Sequence, residues 1–323
     1  MIHPTPPGTR DVLPDEMREL RELAAGLRRA FQDAGYGEVR TPALEYEDVL
    51  RRGDDRAAAP GFRLFDSDGH VLALRSDTTV PIARLVATRY ADAEPPLRLC
   101  YFAHAFRAAE RGRGQSIEFL QGGLELIGPS APEGDVEVVA LVLGALEQAG
   151  LRRHRIGLGD ASLYERLLET LEVAPEQRGP LLERLGRRDL VGLERKVDEL
   201  GLRGEARELL VTLPTLRGGP EVLDRVRGPL VGPAIESLRR CYELLAERGV
   251  ADRVIVDLGL VLELGYYTGA VFELYDPAVG FALGSGGRYD DLLGRFGRPL
   301  PACGIALHLE RLHVAKTAEE RLA

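Results

Sequence analysis

Cysteine is scarce: Cys100, Cys241 and Cys303 are the only three in 323 residues. An odd number so widely spaced builds neither a disulfide framework nor a cysteine metal cluster, and a reducing, cytoplasmic setting is expected. Lysine is scarcer still. Lys196 and Lys316 are the only lysines among 42 Lys plus Arg, and neither follows a glycine-rich loop, which excludes a P-loop. No apolar run approaches the roughly 18 residues of a membrane span. The segment from Met1 to Gly8 lacks both a basic n-region and an apolar h-region, so no secretory signal is expected. The GxGxxG spacing is absent. His3, His70, His104, His154, His308 and His313 show no metal-ligand spacing, and no Ser-His-Asp arrangement is apparent. The net charge of −9 argues against broad nucleic-acid binding, tRNA included.

What is present is an ordinary globular balance, 45% hydrophobic and 29% charged, in a length that suits two domains or one large one. Pro14 to Ala34 reads as a helix, because Met17, Leu20, Leu23, Ala24, Leu27, Ala30 and Phe31 recur at three- and four-residue steps and Gly35 supplies the stop. Glu38 to Pro42 is a short extended run. Phe62 to Phe65 and Val71 to Leu74 flank Asp66-Ser67-Asp68-Gly69 as a hairpin. A helix is expected from Thr79 to Tyr90, and strands over Leu97 to Phe106 and Ile117 to Ile127. Between those strands, Ala108 to Ser116 reads as a mobile Arg- and Gly-rich loop. Asp135 to Gln148 is a helix.

From Ser162 to about Gly249 the chain turns rich in Leu, Glu and Arg and reads as helical. Arg253 to Leu264, Ala270 to Tyr275, Gly280 to Leu283 and Ala302 to Ala306 are strand-like. Asp291 to Phe296 is a short helix, and a last helix starts at Leu309. Hairpin-joined strands with helices gathered elsewhere predict an α+β fold with a mainly antiparallel sheet flanked by helices. The expected organisation is a discontinuous core, residues 1–160 and 250–323, with a helical insertion at 161–249.

Three clusters carry candidate chemistry. Arg75-Ser76-Asp77-Thr78-Thr79 pairs with Gln121 and Glu125, which lie four apart and so on one strand face. A carboxylate beside an amide suits an ammonium or a ring N–H, although for that strand taken alone an exposed sheet face is the better explanation. Arg107, at a strand end, has the fork geometry for a carboxylate or phosphate, and a solvated surface role fits it as well. The third cluster is Leu264-Gly265-Tyr266-Tyr267-Thr268-Gly269, followed by Gly284-Ser285-Gly286-Gly287-Arg288-Tyr289-Asp290. If Tyr266 and Tyr267 sit on a strand they point to opposite faces, so at most one lines any single pocket.

In this order the clusters resemble the histidyl-tRNA synthetase family, class II synthetases, over essentially the whole chain. Pro7 to Pro14 with the helix after it looks like the family's opening and its motif 1 dimer helix. Leu74 to Thr79 is similar to its Leu-Arg-Pro-Glu-Gly-Thr segment. Phe106-Arg107 through Phe119, Gln121 and Glu125 looks like motif 2. Leu264 to Glu273 is similar to its Tyr-Tyr signature, and Gly304 to Leu312 looks like motif 3. The resemblance implies a class II synthetase-like core with a histidine pocket at Asp77, Thr79, Arg107, Gln121, Glu125, Tyr266 and Tyr267, and no metal or other cofactor.

The departures set the expected function. Leu262 stands where the family carries its activating Arg, and losing such a charge-neutralising group costs on the order of 10³–10⁵ in related phosphate chemistry. Gly114 to Gln121 lacks both motif 2 loop arginines. His308 replaces a glycine and should crowd the place of a nucleotide base, while Arg107 and Arg311 remain. The sequence ends soon after motif 3, so no anticodon-binding domain is expected. With these losses the chain resembles the family's paralogues that serve as regulatory subunits of ATP phosphoribosyltransferase, the first enzyme of histidine biosynthesis. That resemblance implies no catalysis of its own, assembly with a short-form catalytic subunit, feedback inhibition by L-histidine, and a homodimer through the motif 1 helix. Two alternatives stay open at this stage: a truncated enzyme that activates histidine with ATP, and a stand-alone sensor of tRNA or histidine.

Overall fold

The first long helix follows the periodicity that predicts it. In the computed structural model, which describes residues 5–53, 62–107, 116–226, 228, 231–262 and 264–322, α1 spans Pro14–Asp33. Pro14 occupies the first turn, Asp15 and Glu16 complement the helix dipole, and Leu20, Leu23, Leu27 and Phe31 are buried along one stripe. After it come β1 (Gly37–Glu38), β2 (Leu44–Tyr46), α2 (Glu47–Gly53), β3 (Arg63–Phe65), β4 (Val71–Leu74) and α3 (Thr79–Arg89). Two ten-residue strands, β5 (Leu97–Phe106) and β6 (Glu118–Ile127), lead into α4 (Glu133–Gln148) and β7 (Arg155–Asp160). The helical stretch holds α5 (Ser162–Thr170), α6 (Pro175–Gly186), α7 (Leu190–Glu199), α8 (Glu205–Thr212), a two-residue β8 (Arg217–Gly218) and α9 (Gly232–Glu247). The chain closes with β9 (Val254–Asp257), β10 (Ala270–Tyr275), β11 (Gly284–Arg288), β12 (Ala302–His308) and α10 (Leu309–Leu322).

Nine strands form one sheet in the order β1-β5-β6-β12-β11-β10-β7-β9-β8. Only β1 with β5 and β7 with β9 run parallel; the other neighbours are antiparallel, as the α+β reading expects. A second sheet of three strands, β2-β4-β3, contains the predicted hairpin. Alternation sorts the large sheet's side chains. Leu124, Leu126, Leu158, Phe272, Ile305 and Leu307 belong to the main apolar cluster, together with buried residues of α1, α4, α9 and α10. The same cluster runs on into α5 to α8 through Leu167, Leu185, Val197 and Leu210. Helix α9 packs on α4 and β7, and β8 extends the large sheet beside β9. A smaller cluster, with Ala73, Val80, Ile82 and Leu99, fills the space between the small sheet, α3 and the other face.

Several expectations shift. The run Glu38 to Pro42 is strand only at its first residue, where β1 pairs with Leu99 and Cys100. The strand expected over Arg253 to Leu264 stops at Asp257, whose side chain accepts the Gly259 N–H at 3.0 Å and turns the chain. Gly280 to Leu283 is not strand. The strand is β11, offset to residues of low β-propensity, because β12 and β10 approach it from both sides and leave no room for larger side chains. Asp291 to Phe296 narrows to one tight turn over Leu293–Phe296. The loop read over 108–116 lies, except for Ser116, outside the described residues. Strands β2 and β7 and helix α2 went unread. Asp66, Asp68 and His70 bring ligand-type atoms within 4.8 Å of one another in the hairpin turn, which histidine spacing alone did not reveal. The Asp66 carboxylate there accepts the N–H groups of Asp68 and His70, which is turn chemistry. All three cysteines are buried and free, and among the described residues no helix is long and apolar enough to cross a membrane.

Leu27, fully buried on α1, ties that helix to the sheet. Leu27→Ala should lower the unfolding free energy by about 2–5 kcal/mol in urea denaturation; a loss below about 1 kcal/mol would mean α1 is not part of the cooperative core.

Candidate functional site

The face of the large sheet turned away from α1, α4, α9 and α10 is hollow at its centre. On β6 it presents Gln121, Gly123 and Glu125, and the register places His308, Ala306 and Gly304 of β12 directly opposite them. Ser285 and Gly287 of β11 continue the row beside Ala306 and Gly304. Small residues form this floor while Cys303, Ile305 and Leu307 fill the helix side. At Gly304 the choice is forced, because a Cβ there would overlap the Glu125 carboxylate.

Loops raise the walls. At the start of α3 the Asp77 carboxylate accepts the Val80 N–H at 3.1 Å, and Thr78 Oγ1 donates to Gln121 Oε1 at 3.3 Å. Thr79 Oγ1 donates to Glu125 Oε1 at 2.7 Å, and the Tyr289 hydroxyl donates to Glu125 Oε2. Arg107 leaves the end of β5, donates from Nε to the Ser76 carbonyl at 3.0 Å, and sits 5.4 Å from the Phe119 ring centre. Phe119 stacks on His308 at 4.3 Å. The opposite wall is the turn before β10. Tyr266 and Tyr267 belong to it, with ring centres 4.8 Å apart, and both line the same cavity. The expectation that they face opposite ways fails because they precede the strand, where two-residue alternation does not apply.

Asp77, Thr79, Arg107, Gln121, Tyr266 and Tyr267 thus meet around one cleft of about 380 Å³. The cleft is tight, with free space for roughly one water. Glu125 lies buried beneath Thr79. Arg107 is the one cation among the described lining residues. Leu262 is half-buried and outside that lining. Tyr289 and Ser285, from the third cluster, and Gly304 and Ala306, from the motif 3 resemblance, line the cleft too, although none was placed in the expected histidine pocket. The alternation of Ala302, Gly304 and Ala306 with Cys303, Ile305 and Leu307 was a legible sign of a strand with one filled and one hollow face. Nothing local marked Tyr289 as the partner of Glu125, which lies 164 positions away.

Burial dominates the electrostatics. It pushes the Glu125 carboxyl up to about 8, against the opposing hydrogen bonds from Tyr289 and Thr79 and with help from the nearby Asp77 charge. The phenols of Tyr266, Tyr267 and Tyr289 are held protonated by the same desolvation. His308 is driven down to about 3 by burial and by Arg311 and Arg107, so its ring is neutral. Beneath the lining therefore lies a neutral acid held by two hydroxyl donors, and the lining itself offers an amide, a carboxylate and one guanidinium.

A nine-stranded mixed sheet with helices on one face and this cleft on the other is a class II synthetase-like core. The family model described as histidyl-tRNA synthetase matches residues 8–312. A solved structure described as an ATP phosphoribosyltransferase regulatory subunit/histidyl-tRNA synthetase from Bacillus halodurans superposes with a TM-score of 0.88 at 35% identity, over 98% of this chain and 83% of that one. Among curated relatives, the ATP phosphoribosyltransferase regulatory subunit of Symbiobacterium thermophilum is 44% identical, covering 98% of this chain and 81% of the relative. That of Moorella thermoacetica is 42% identical over 98% and 84%. The chain belongs to the histidyl-tRNA synthetase family and, within it, to the ATP phosphoribosyltransferase regulatory subunits.

A buried acid with a raised pKa makes stability fall as pH rises. The folded chain keeps a proton that the unfolded chain, with a glutamate near roughly 4.3, has already released. Between about pH 4.5 and 8 Glu125 should therefore remove up to about 1.4 kcal/mol per pH unit. Denaturation of Glu125→Gln at several pH values should show that slope removed; an unchanged slope would mean Glu125 is ionised in the fold.

Proposed function

We propose that this chain is the non-catalytic regulatory subunit of an ATP phosphoribosyltransferase, that it binds L-histidine in the cleft over Glu125, and that it acts in the cytoplasm in complex with a short-form catalytic subunit. The observation that carries this reading is the composition of the cleft. It keeps Asp77, Thr79, Gln121 and Arg107 for the amino-acid end of histidine and the tyrosine pair for the ring, with Glu125 buried beneath Thr79, while Leu262, at the position where the resemblance implies an activating arginine, is aliphatic and outside the lining.

The chemistry supports the ligand. Glu125 transfers its proton to the imidazole, and the resulting carboxylate keeps the hydroxyls of Thr79 and Tyr289 as donors. Gln121, Thr79 and Asp77 suit the α-ammonium, Arg107 the α-carboxylate, and Tyr266 and Tyr267 close over the ring. The cleft as it stands has free space for roughly one water, so seating the ligand requires the lining side chains to move apart. His308, stacked on Phe119, takes up an aromatic face that a planar base would otherwise use. Feedback then follows from a differential affinity of histidine for two states of the assembly. The homodimer is part of the same proposal. Helix α1 has its apolar stripe inside its own chain, which leaves its polar outer side and the exposed Leu44, Tyr46 and Leu64 of the small sheet as available surfaces.

Mixing the chain with a short-form catalytic subunit should raise phosphoribosyltransferase activity and make it sensitive to histidine. A catalytic subunit equally active and equally inhibited alone, or exchange of pyrophosphate into ATP at ordinary enzyme rates by this chain with histidine, would overturn the proposal.

Histidine binding should also have a flat-topped pH profile. The bound pair holds one proton between Glu125 and imidazole. Below roughly pH 6.5 both free partners carry one and a proton must leave; above about 8 neither does and one must be taken up. Affinity measured by calorimetry should therefore fall about tenfold per pH unit outside that window and stay level within it; a monotonic profile would exclude the shared proton.

A further inference from the structure

Arg75 is buried, 4% exposed, and its guanidinium donates to four uncharged oxygens on two separate segments. Its Nη1 donates to the Thr41 carbonyl at 2.8 Å, to Thr41 Oγ1 at 2.9 Å and to the Pro42 carbonyl at 3.0 Å, and its Nε donates to the His104 carbonyl at 2.8 Å. Its backbone continues the pattern: its N–H donates to the Ala43 carbonyl and its carbonyl accepts the Phe106 N–H at 2.9 Å. One residue thus ties together the segment entering β2, the end of β5 and the approach to α3.

The two charged walls of the cleft hang directly on this joint. Asp77 is two positions after Arg75. Arg107 follows Phe106 and donates back to the carbonyl of Ser76, Arg75's neighbour. The nearby Asp77 charge already favours the buried guanidinium, so the oxygen acceptors are not there to neutralise it. Acceptors spread over separate segments instead fix the relative position of those segments, which the planar fork of arginine does and a lysine does not.

We propose that Arg75 is a positioning residue that sets the spacing of Asp77 and Arg107, and so the affinity for the amino-acid end of the ligand, without touching the ligand itself. This rests on the reading of the cleft as a histidine site, and it predicts a selective defect. L-histidine uses both ends of the cleft, whereas 4-methylimidazole presents only the ring to Glu125 and the tyrosines.

The experiment compares Kd for L-histidine and for 4-methylimidazole in the wild-type chain, Arg75→Lys and Arg75→Met, with thermal unfolding as the check on folding. Histidine affinity should fall about tenfold or more in Arg75→Met, less in Arg75→Lys, while 4-methylimidazole stays within about twofold. A folded variant in which both ligands weaken in step, or neither weakens, overturns the inference. If Arg75→Met does not fold, Thr41→Val removes one side-chain acceptor and should lower the same affinity ratio by about threefold; an unmoved ratio overturns the inference there too. If the wild-type chain binds neither ligand, the histidine reading fails, and amide hydrogen exchange decides the role of Arg75 independently. Faster exchange at Val80 and Phe106, with the rest of β5 and α3 unchanged, supports positioning; uniform change across the chain, or none, refutes it.

Discussion

The Glu125 carboxyl is a charged-type group placed where water does not reach, and the hollow side of the sheet is organised around keeping it there. Its oxygens accept from Thr79 on α3 and from Tyr289 beyond β11, and Gly304 on the adjacent strand makes way for it. Three separate stretches of chain therefore converge on one side chain. A buried carboxyl without these donors would be costly, and with them it is still held as the acid near neutral pH. That combination of satisfied oxygens and a retained proton distinguishes the floor of this cleft from an ordinary buried polar contact.

The two faces of the large sheet divide the work. The helix side is filled, and most of the apolar surface buried in folding lies there, in a cluster continuous from α1 to α10. The other side is lined with glycine, alanine and serine, which contribute little packing and leave a concavity. Core packing and the cleft are thereby placed on opposite faces of the same strands, one residue apart along β6 and β12. In the proposed reading the cleft retains what grips an amino acid, while the aromatic face of Phe119 is already taken by a neutral His308.

Much of this was legible in the residues. The three- and four-step spacing of Leu20, Leu23, Leu27 and Phe31 fixed α1, since a helix brings such positions to one side wherever it packs. The ten-residue strands around Gln121 and Glu125 read within a residue of their bounds, and the shared face of those two side chains followed from strand period alone. The glycine-rich β11 did not read as strand, because its pairing comes from neighbours rather than from its own propensity. The tyrosine pair was assigned a strand geometry that it lacks, since its turn is set by contacts outside the local sequence.

By itself the sequence determined the long helices, the long hairpin strands and most of the polar residues gathered in the cleft, because each depends on short-range periodicity or on residue type, while the order of its motifs carried the family resemblance. Only the tertiary structure decided that Tyr289 completes the Glu125 pair, that both tyrosines face one cavity, that Leu262 stands outside it, and that Arg75 joins three segments. The physical reason is distance along the chain. Burial, desolvation and hydrogen bonding between residues tens to hundreds of positions apart arise only once the strands have been set side by side.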